Sequence, residues 1–165
     1  MIRKYSFPPL ASSESKILIL GSLPGDESIK QQQYYAHKNN AFWRLIYRIF
    51  GDEPDADYTK RCKYLLQHKL ALWDVCKSAQ RALSADSKIT DVSPNEIDSL
   101  LCDCPNIEKI LLNGHKAEKE FYRYFKKISV PAVYVPSTSP AFASMTFEEK
   151  LIAWQNEISD FKYGD

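Results

Sequence analysis

Three short loops carry side chains able to hold or attack a polar substrate. GSLPGDES at 21–28 supplies small residues, which let the backbone approach a ligand closely, and the hydroxyls of Ser22 and Ser28. PSTSPA at 136–141 sets Ser137, Thr138 and Ser139 in a row between prolines. Neutral hydroxyls and exposed backbone amides grip phosphates without a high net charge. Asn113-Gly114 offers an amide with donor and acceptor side by side, a match for the edge of a nucleobase. Taken singly, each loop has a plain alternative: a rigid turn for the first and third, a helix cap for the second. The first loop lacks the Lys-Ser/Thr pair of a Walker phosphate loop and the three glycines of a dinucleotide fingerprint.

Metal chemistry finds little support. His37, His68 and His115 show no i, i+4 pairing, and Cys102-x-Cys104 is too tight for a zinc knuckle. Cys62, Cys76, Cys102 and Cys104 match no common iron–sulfur run and read as free thiols of a reducing compartment. The expectation is no metal and no redox cofactor.

The elements around the loops follow from hydrophobic period. KILILG at 16–21, ALWDVC at 71–76, IEKILL at 107–112 and residues 131–135 read as four strands. Phe42, Leu45, Ile46 and Ile49 fall at i, i+3, i+4 and i+7, an amphipathic helix over 41–50 with Asn40 at the expected N-cap. Further helices are expected over 59–68, from Ser93-Pro94 to about Cys102, over about 115–127 and over about 146–161. Residues 22–39 read mostly as loop and 78–93 as irregular. Alternating strands and helices predict a three-layer α/β/α sandwich with a mostly parallel four-stranded central sheet, one domain over 1–165. All three polar loops follow the C-terminal end of a predicted strand, the edge where open α/β sheets bind ligands.

A fourth segment, YYAHKNNAFW at 34–43, gives the set a direction. In order come Phe-Pro-Pro (7–9), a strand with its GSxPG turn, Tyr-Tyr-Ala-His, Asn-Ala-Phe-Trp, LWDV at 72–75, Asn-Gly and Ser-Thr-Ser-Pro-Ala. Together they resemble the uracil-DNA glycosylase superfamily, and within it the hypoxanthine-DNA (deoxyinosine) glycosylase branch. The resemblance implies a base-excision enzyme that breaks the N-glycosidic bond of a deaminated base in double-stranded DNA. Such a base must leave the stack, at a cost of a few kcal/mol. Tyr35 matches a position where relatives place a stacking aromatic, a contact worth roughly 1–3 kcal/mol.

Leu23 marks a departure, since relatives hold their catalytic water with an Asp or Asn at that place. The resemblance moves the role to Asn40, with helix capping as its alternative and Asn39 and Asp26 as fallback water ligands. It gives Asn113 the second polar position, on the water or the base edge. Gly25 stands where uracil-specific relatives carry a blocking Tyr, so the wall is open to a purine. The resemblance also implies that Ser137, Thr138 and Ser139 pinch phosphates and that Phe142 wedges into the vacated stack; Arg44, Arg48 and Lys38 are candidates for added backbone contacts, with a solvated helix face as the alternative for the arginines. A Schiff-base role for Lys38 is disfavoured, because relatives are monofunctional.

Two rivals stand beside hypoxanthine excision: a uracil or G·T/G·U mismatch glycosylase, and a non-catalytic lesion-DNA or nucleotide-binding module, for which the empty position at Leu23 speaks.

Charge and composition set outer bounds. The chain has 165 residues, 44% apolar and 26% charged, with a formal net charge of +1. That excludes a polybasic binder held mainly by net charge. Residues 1–70 nevertheless carry 11 Lys/Arg against 7 Asp/Glu. No window approaches 18 apolar residues, and the start lacks a signal core, so a monomeric cytoplasmic protein is expected, nucleoid-associated in a prokaryote, with no membrane partner.

Overall fold

The strand before the first loop is buried along its whole length, because its alternating side chains find helices on both faces. The computed structural model describes residues 2–81 and 89–162, with side-chain surroundings through residue 159. In chain order the elements are β1 (Ile2–Tyr5), β2 (Ile17–Gly21), α1 (Asp26–Gln31), α2 (Phe42–Ile49), α3 (Tyr58–Gln67), β3 (Leu70–Asp74) and β4 (Cys76–Arg81). They continue with β5 (Thr90–Pro94), α4 (Ile97–Asp103), β6 (Lys109–Asn113), α5 (His115–Tyr124), β7 (Ala132–Val135) and α6 (Phe147–Lys162).

The central sheet is four-stranded and wholly parallel, in the order β3-β2-β6-β7. Side chains alternate across it with period two. Ile17, Ile19, Leu72 and Leu111 join Phe42 and Leu45 of α2, Leu65 of α3 and Trp154 of α6 in one core. Leu18, Leu20, Trp73, Ile110 and Leu112 join Ile97 and Leu100 of α4 and Phe121 of α5 in the other. Helices thus cover both faces, and the α/β/α sandwich expected from sequence is the architecture found.

The sequence reading missed a second sheet. β1, β4 and β5 pair antiparallel, so part of the stretch read as irregular is regular; residues 82–88 of that stretch lie outside the described residues. The strand expected over 71–76 is two: β3 ends at Asp74, and β4 starts at Cys76 and enters the other sheet.

Three local expectations need correction. Ser93-Pro94 does not open a helix; both lie in β5, and α4 begins after Glu96. Asn95 explains the delay, since its side-chain amide donates to the Asp74 carbonyl (2.8 Å) and to the Ser6 hydroxyl (3.0 Å), pinning the chain beside β3. The loop after β2 contains the short helix α1. Ala41, not Asn40, holds the N-cap position of α2, although the Asn40 side chain still serves that helix end.

Candidate active site

Parallel strands bring their C-terminal residues to one edge, and Gly21, Asp74 and Asn113 meet there on the wall of a cavity of about 310 Å³. The segments 22–28, 34–40 and 137–141 complete the wall. The loops singled out from sequence therefore do converge, and Ser22, Leu23, Gly25, Ser28, Tyr35, Asn40, Asn113, Ser137, Thr138 and Ser139 all line the cavity. Phe142, Lys38, Asn39, Arg44 and Arg48 are not among its lining residues.

Asn113 is the central tie. Its Nδ2 donates to the Tyr35 hydroxyl (3.1 Å) and to Thr138 Oγ1 (3.1 Å), while its Oδ1 accepts the Thr138 amide (3.0 Å). Both amide protons are thus used within the protein. Asn113 joins the end of β6 to two loops. Thr138, only 1% exposed, belongs to the same clasp, and its carbonyl accepts the Ala41 amide (3.0 Å). Its side chain is therefore tied inward, not presented on the outer face of the 136–141 loop.

The other hydroxyls divide. Ser28 is buried and its Oγ accepts the Ala36 amide (3.1 Å), an internal tie. Ser22 is buried too. Ser137 and Ser139 are half-buried and accept the amides of Ser139 and Ala141, which leaves each its own proton to donate.

Asn40 makes a helix-end contact and also lines the cavity. Its Oδ1 accepts the Phe42 amide at 2.9 Å. Because the Phe42 N–H is a donor, the facing atom must be the amide oxygen. The two Nδ2 protons and the second lone pair of Oδ1 are what Asn40 can give a ligand or water. Tyr35, in left-handed backbone (φ +54°), stacks one ring face on Phe42 with centroids 4.2 Å apart. Gly21 is required by close approach. A Cβ there would lie 2.6 Å from Asp74 Oδ1 and 2.9 Å from the Tyr35 hydroxyl.

Sequence reasoning gave no role to Asp74, Arg81, His37 or Lys150. Asp74 is a buried carboxylate on the cavity wall; a polar residue ending the apolar run of β3 was its only signal. Burial first, then the Asp74 charge, holds the Tyr34 hydroxyl well above its ordinary range, so it stays protonated and donates to the Pro8 carbonyl (2.8 Å). Arg81 is buried on β4 and donates to the carbonyls of Leu23 and Pro24, bracing the GSLPG turn from below. His37 Nδ1 accepts the Asn39 amide (3.1 Å), so a neutral ring carries its proton on Nε2 at the cavity. Lys150 of α6 donates to the Phe142 carbonyl (2.8 Å) and sits 5.2 Å from the Phe142 ring centroid, so the expected wedge is anchored by a buried cation. Burial lowers the Lys150 pKa.

Arg44 and Arg48 place their guanidinium groups over the Phe147 ring, at 4.2 and 5.7 Å from its centroid, tying α2 to α6. The cysteines are free thiols, Cys76 and Cys104 buried, Cys62 half-buried and Cys102 exposed. Among the described residues no three His, Cys, Asp or Glu gather as a metal-binding group, and no helix is long and apolar enough to cross a membrane.

Relatives share both the sequence and the fold. A protein named hypoxanthine DNA glycosylase from Methanosarcina barkeri is 42% identical over 117 residues, covering 70% of this chain and 74% of its own length. Another of that name, from Methanosarcina acetivorans, is 40% identical over 139 residues, covering 84% and 87%. A solution NMR structure from Methanosarcina acetivorans, provisionally assigned as a uracil DNA glycosylase, superposes with a TM-score of 0.86 at 34% identity, over 98% of this chain and all of that one. The family model of the uracil DNA glycosylase superfamily matches residues 8–158, a span that takes in every loop of the cavity, and the chain belongs to that superfamily.

Proposed function

We propose that this protein is a monofunctional DNA glycosylase that releases hypoxanthine, and with it other deaminated bases, from double-stranded DNA by hydrolysis. The observation that carries the reading is the cavity at the strand ends, about 310 Å³ and lined in part by the Ser137–Ser139 loop. It lies at the small end of the ~300–1,000 Å³ range of ligand sites, a volume suited to one extruded base. The names of the relatives favour hypoxanthine over uracil. Gly25 agrees, since it leaves the wall beside Pro24 without a side chain.

The transition state of such cleavage has positive charge on the sugar and negative charge on the departing base. Asn40 is the group that orients water. Its oxygen is held by Phe42, so a second lone pair and two amide protons are presented in fixed directions. An amide is a weak base, and orientation suffices when departure of the base leads the reaction. Tyr35, backed by Phe42, offers its ring to the extruded base. The hydroxyl protons of Ser137 and Ser139 reach a phosphate oxygen, and Phe142, fixed by Lys150, fills the gap in the stack. Leu23, packed against Cys76 and Ala79, closes the apolar side of the pocket. Lys38 is exposed and outside the cavity lining, which fits water and not an amine as the nucleophile.

The test is base release from matched duplexes that differ only in hypoxanthine or uracil. Hypoxanthine release with alkali-dependent strand breakage is expected. Release of uracil alone overturns the substrate, and release of no base, with lesion DNA still bound, overturns the enzyme in favour of a binding module. Sedimentation of the protein with a lesion duplex should give one protein per lesion.

A further inference from the structure

Tyr35 presents its ring to the cavity from left-handed backbone (φ +54°), a conformation that bulky side chains rarely adopt. Such strain persists only where the surroundings over-determine it. The two peptide planes that meet at the Tyr35 Cα are both tied to other elements. In the plane before it, the Tyr34 carbonyl accepts Trp43 Nε1–H of α2 at 2.8 Å. In the plane after it, the Ala36 amide donates to Ser28 Oγ at 3.1 Å. One plane further back, the Tyr34 amide donates to the Tyr58 hydroxyl of α3 at 3.0 Å. Tyr58 and Trp43 also brace each other edge to face, with ring centroids 6.0 Å apart. The backbone of Tyr34 is therefore gripped on both sides by side chains from two helices.

We infer that Tyr58 is a positioning residue for base release, acting through Tyr34 to hold the Tyr35 ring where the extruded base stacks. Local structure sets Tyr58 in place. Asp57 caps α3 by accepting the Lys60 amide at 3.1 Å, which fixes Tyr58 in the first turn. Burial raises the Tyr58 pKa, so its hydroxyl stays neutral while it accepts the Tyr34 amide. The residue is half-buried and outside the cavity lining, so any influence on the reaction passes through its neighbours. Without the hydroxyl, the Tyr34 amide loses this acceptor and one restraint on the strained backbone disappears. Tyr35 then relaxes toward negative φ, which turns its ring off Phe42, on which it stacks at 4.2 Å.

The inference rests on the glycosylase reading above, in which Tyr35 stacks on the base, and the experiment separates the two. Single-turnover release of hypoxanthine is measured for wild type, Tyr58→Phe, Tyr35→Ala and the double variant. Phenylalanine keeps the ring against Trp43 and removes only the hydroxyl. Tyr35→Ala should slow release about 5- to 150-fold, the loss of one base stack. Tyr58→Phe alone should slow it about three- to tenfold, as a lost hydrogen bond. Added to Tyr35→Ala it should cost less than about twofold, because the ring it positions is gone. A residue that only supports the fold slows both backgrounds alike, so equal slowing overturns the inference, as does a wild-type rate in Tyr58→Phe. Amide hydrogen exchange gives a check that survives a poorly folded variant. In the wild type the Tyr34 amide should be protected, and in a folded Tyr58→Phe it should lose protection while Leu18–Leu20 of β2 keep theirs. Unprotected exchange of the Tyr34 amide in the wild type overturns the inference. Failure of the wild type to release hypoxanthine instead overturns the glycosylase reading, and the inference with it.

Discussion

On the proposed reading, Asn40 serves the fold and the reaction through different atoms. Its oxygen holds the Phe42 amide while its NH₂ group remains for the cavity. The two roles separate by substitution. Asn40→Ala removes both, and should cost about 0.5–2 kcal/mol of stability as a lost helix-end contact and about 10²–10³ in the rate of base release. Asn40→Asp keeps the oxygen for Phe42 but loses the amide protons. It should melt near the wild-type temperature and still be slow; wild-type rates in that variant would reduce Asn40 to a structural residue. At Gly21 the argument is purely steric. The Cβ of Gly21→Ala would press on Asp74 Oδ1 and the Tyr35 hydroxyl. Overpacking should cost about 1–3 kcal/mol and remove most activity, read by thermal melting beside single-turnover release. Full activity in a folded Gly21→Ala protein would mean that the cavity floor tolerates displacement.

At the scale of elements, the loops are held from beneath by residues on other strands and helices. Asn113 at the end of β6 clasps Thr138 and Tyr35, Arg81 of β4 braces the carbonyls of Leu23 and Pro24, and Lys150 of α6 carries the Phe142 carbonyl. Removing the clasp with Asn113→Ala leaves the buried Thr138 amide without its acceptor, which should cost about 1–3 kcal/mol, with slower base release as both loops loosen. Lys150→Met should act mainly on binding, raising the KM for lesion DNA more than it lowers kcat. Its pH signature is distinctive. The folded Lys150 pKa lies below its unfolded value, so between the two the unfolded chain holds more protons and stability rises with pH. Below that window the penalty of the buried charge is constant. The alkaline rise should be smaller in Lys150→Met than in wild type, as measured by urea unfolding at successive pH values.

These supports also explain what the sequence could disclose. Loop residues that directly follow apolar strands were legible, because strand ends in a parallel sheet must share an edge. β4 was not, since CKSAQR has a weak pattern and its pairing with β1 joins residues more than seventy positions apart. Ser93-Pro94 misled because a local capping signal loses to the long-range tether of Asn95. Asp74, Arg81 and Lys150 gain their meaning only from partners distant in sequence, which no local pattern encodes.

Over the whole molecule, several cations are engaged within the protein. Lys150 is buried, Arg81 is fully enclosed, and Arg44 and Arg48 lie on Phe147. Lys109 and Lys116 pair with Glu157 and Glu120 at 2.6 and 2.9 Å. Around the cavity the titratable side chains are mainly acidic, with Asp26, Glu27 and Asp74 beside His37. A duplex carrying one negative charge per ~1.7 Å of axis would be repelled by such a rim if binding relied on net charge. On the proposed reading the grip comes from the hydroxyls of Ser137 and Ser139, from backbone amides and from the extruded base itself. Hydrogen bonds of that kind release few counterions, and two to four neutralised phosphates correspond to a slope of about −2 to −4 in log K against log salt. Titration of a lesion duplex from low to high salt should return that shallow slope, and the extra affinity for the lesion over undamaged DNA should persist at high salt, since it arises inside the cavity. A slope of about −6 or steeper would place the affinity in a cationic surface away from the Ser137–Ser139 loop, and the lesion preference would then fade together with total binding.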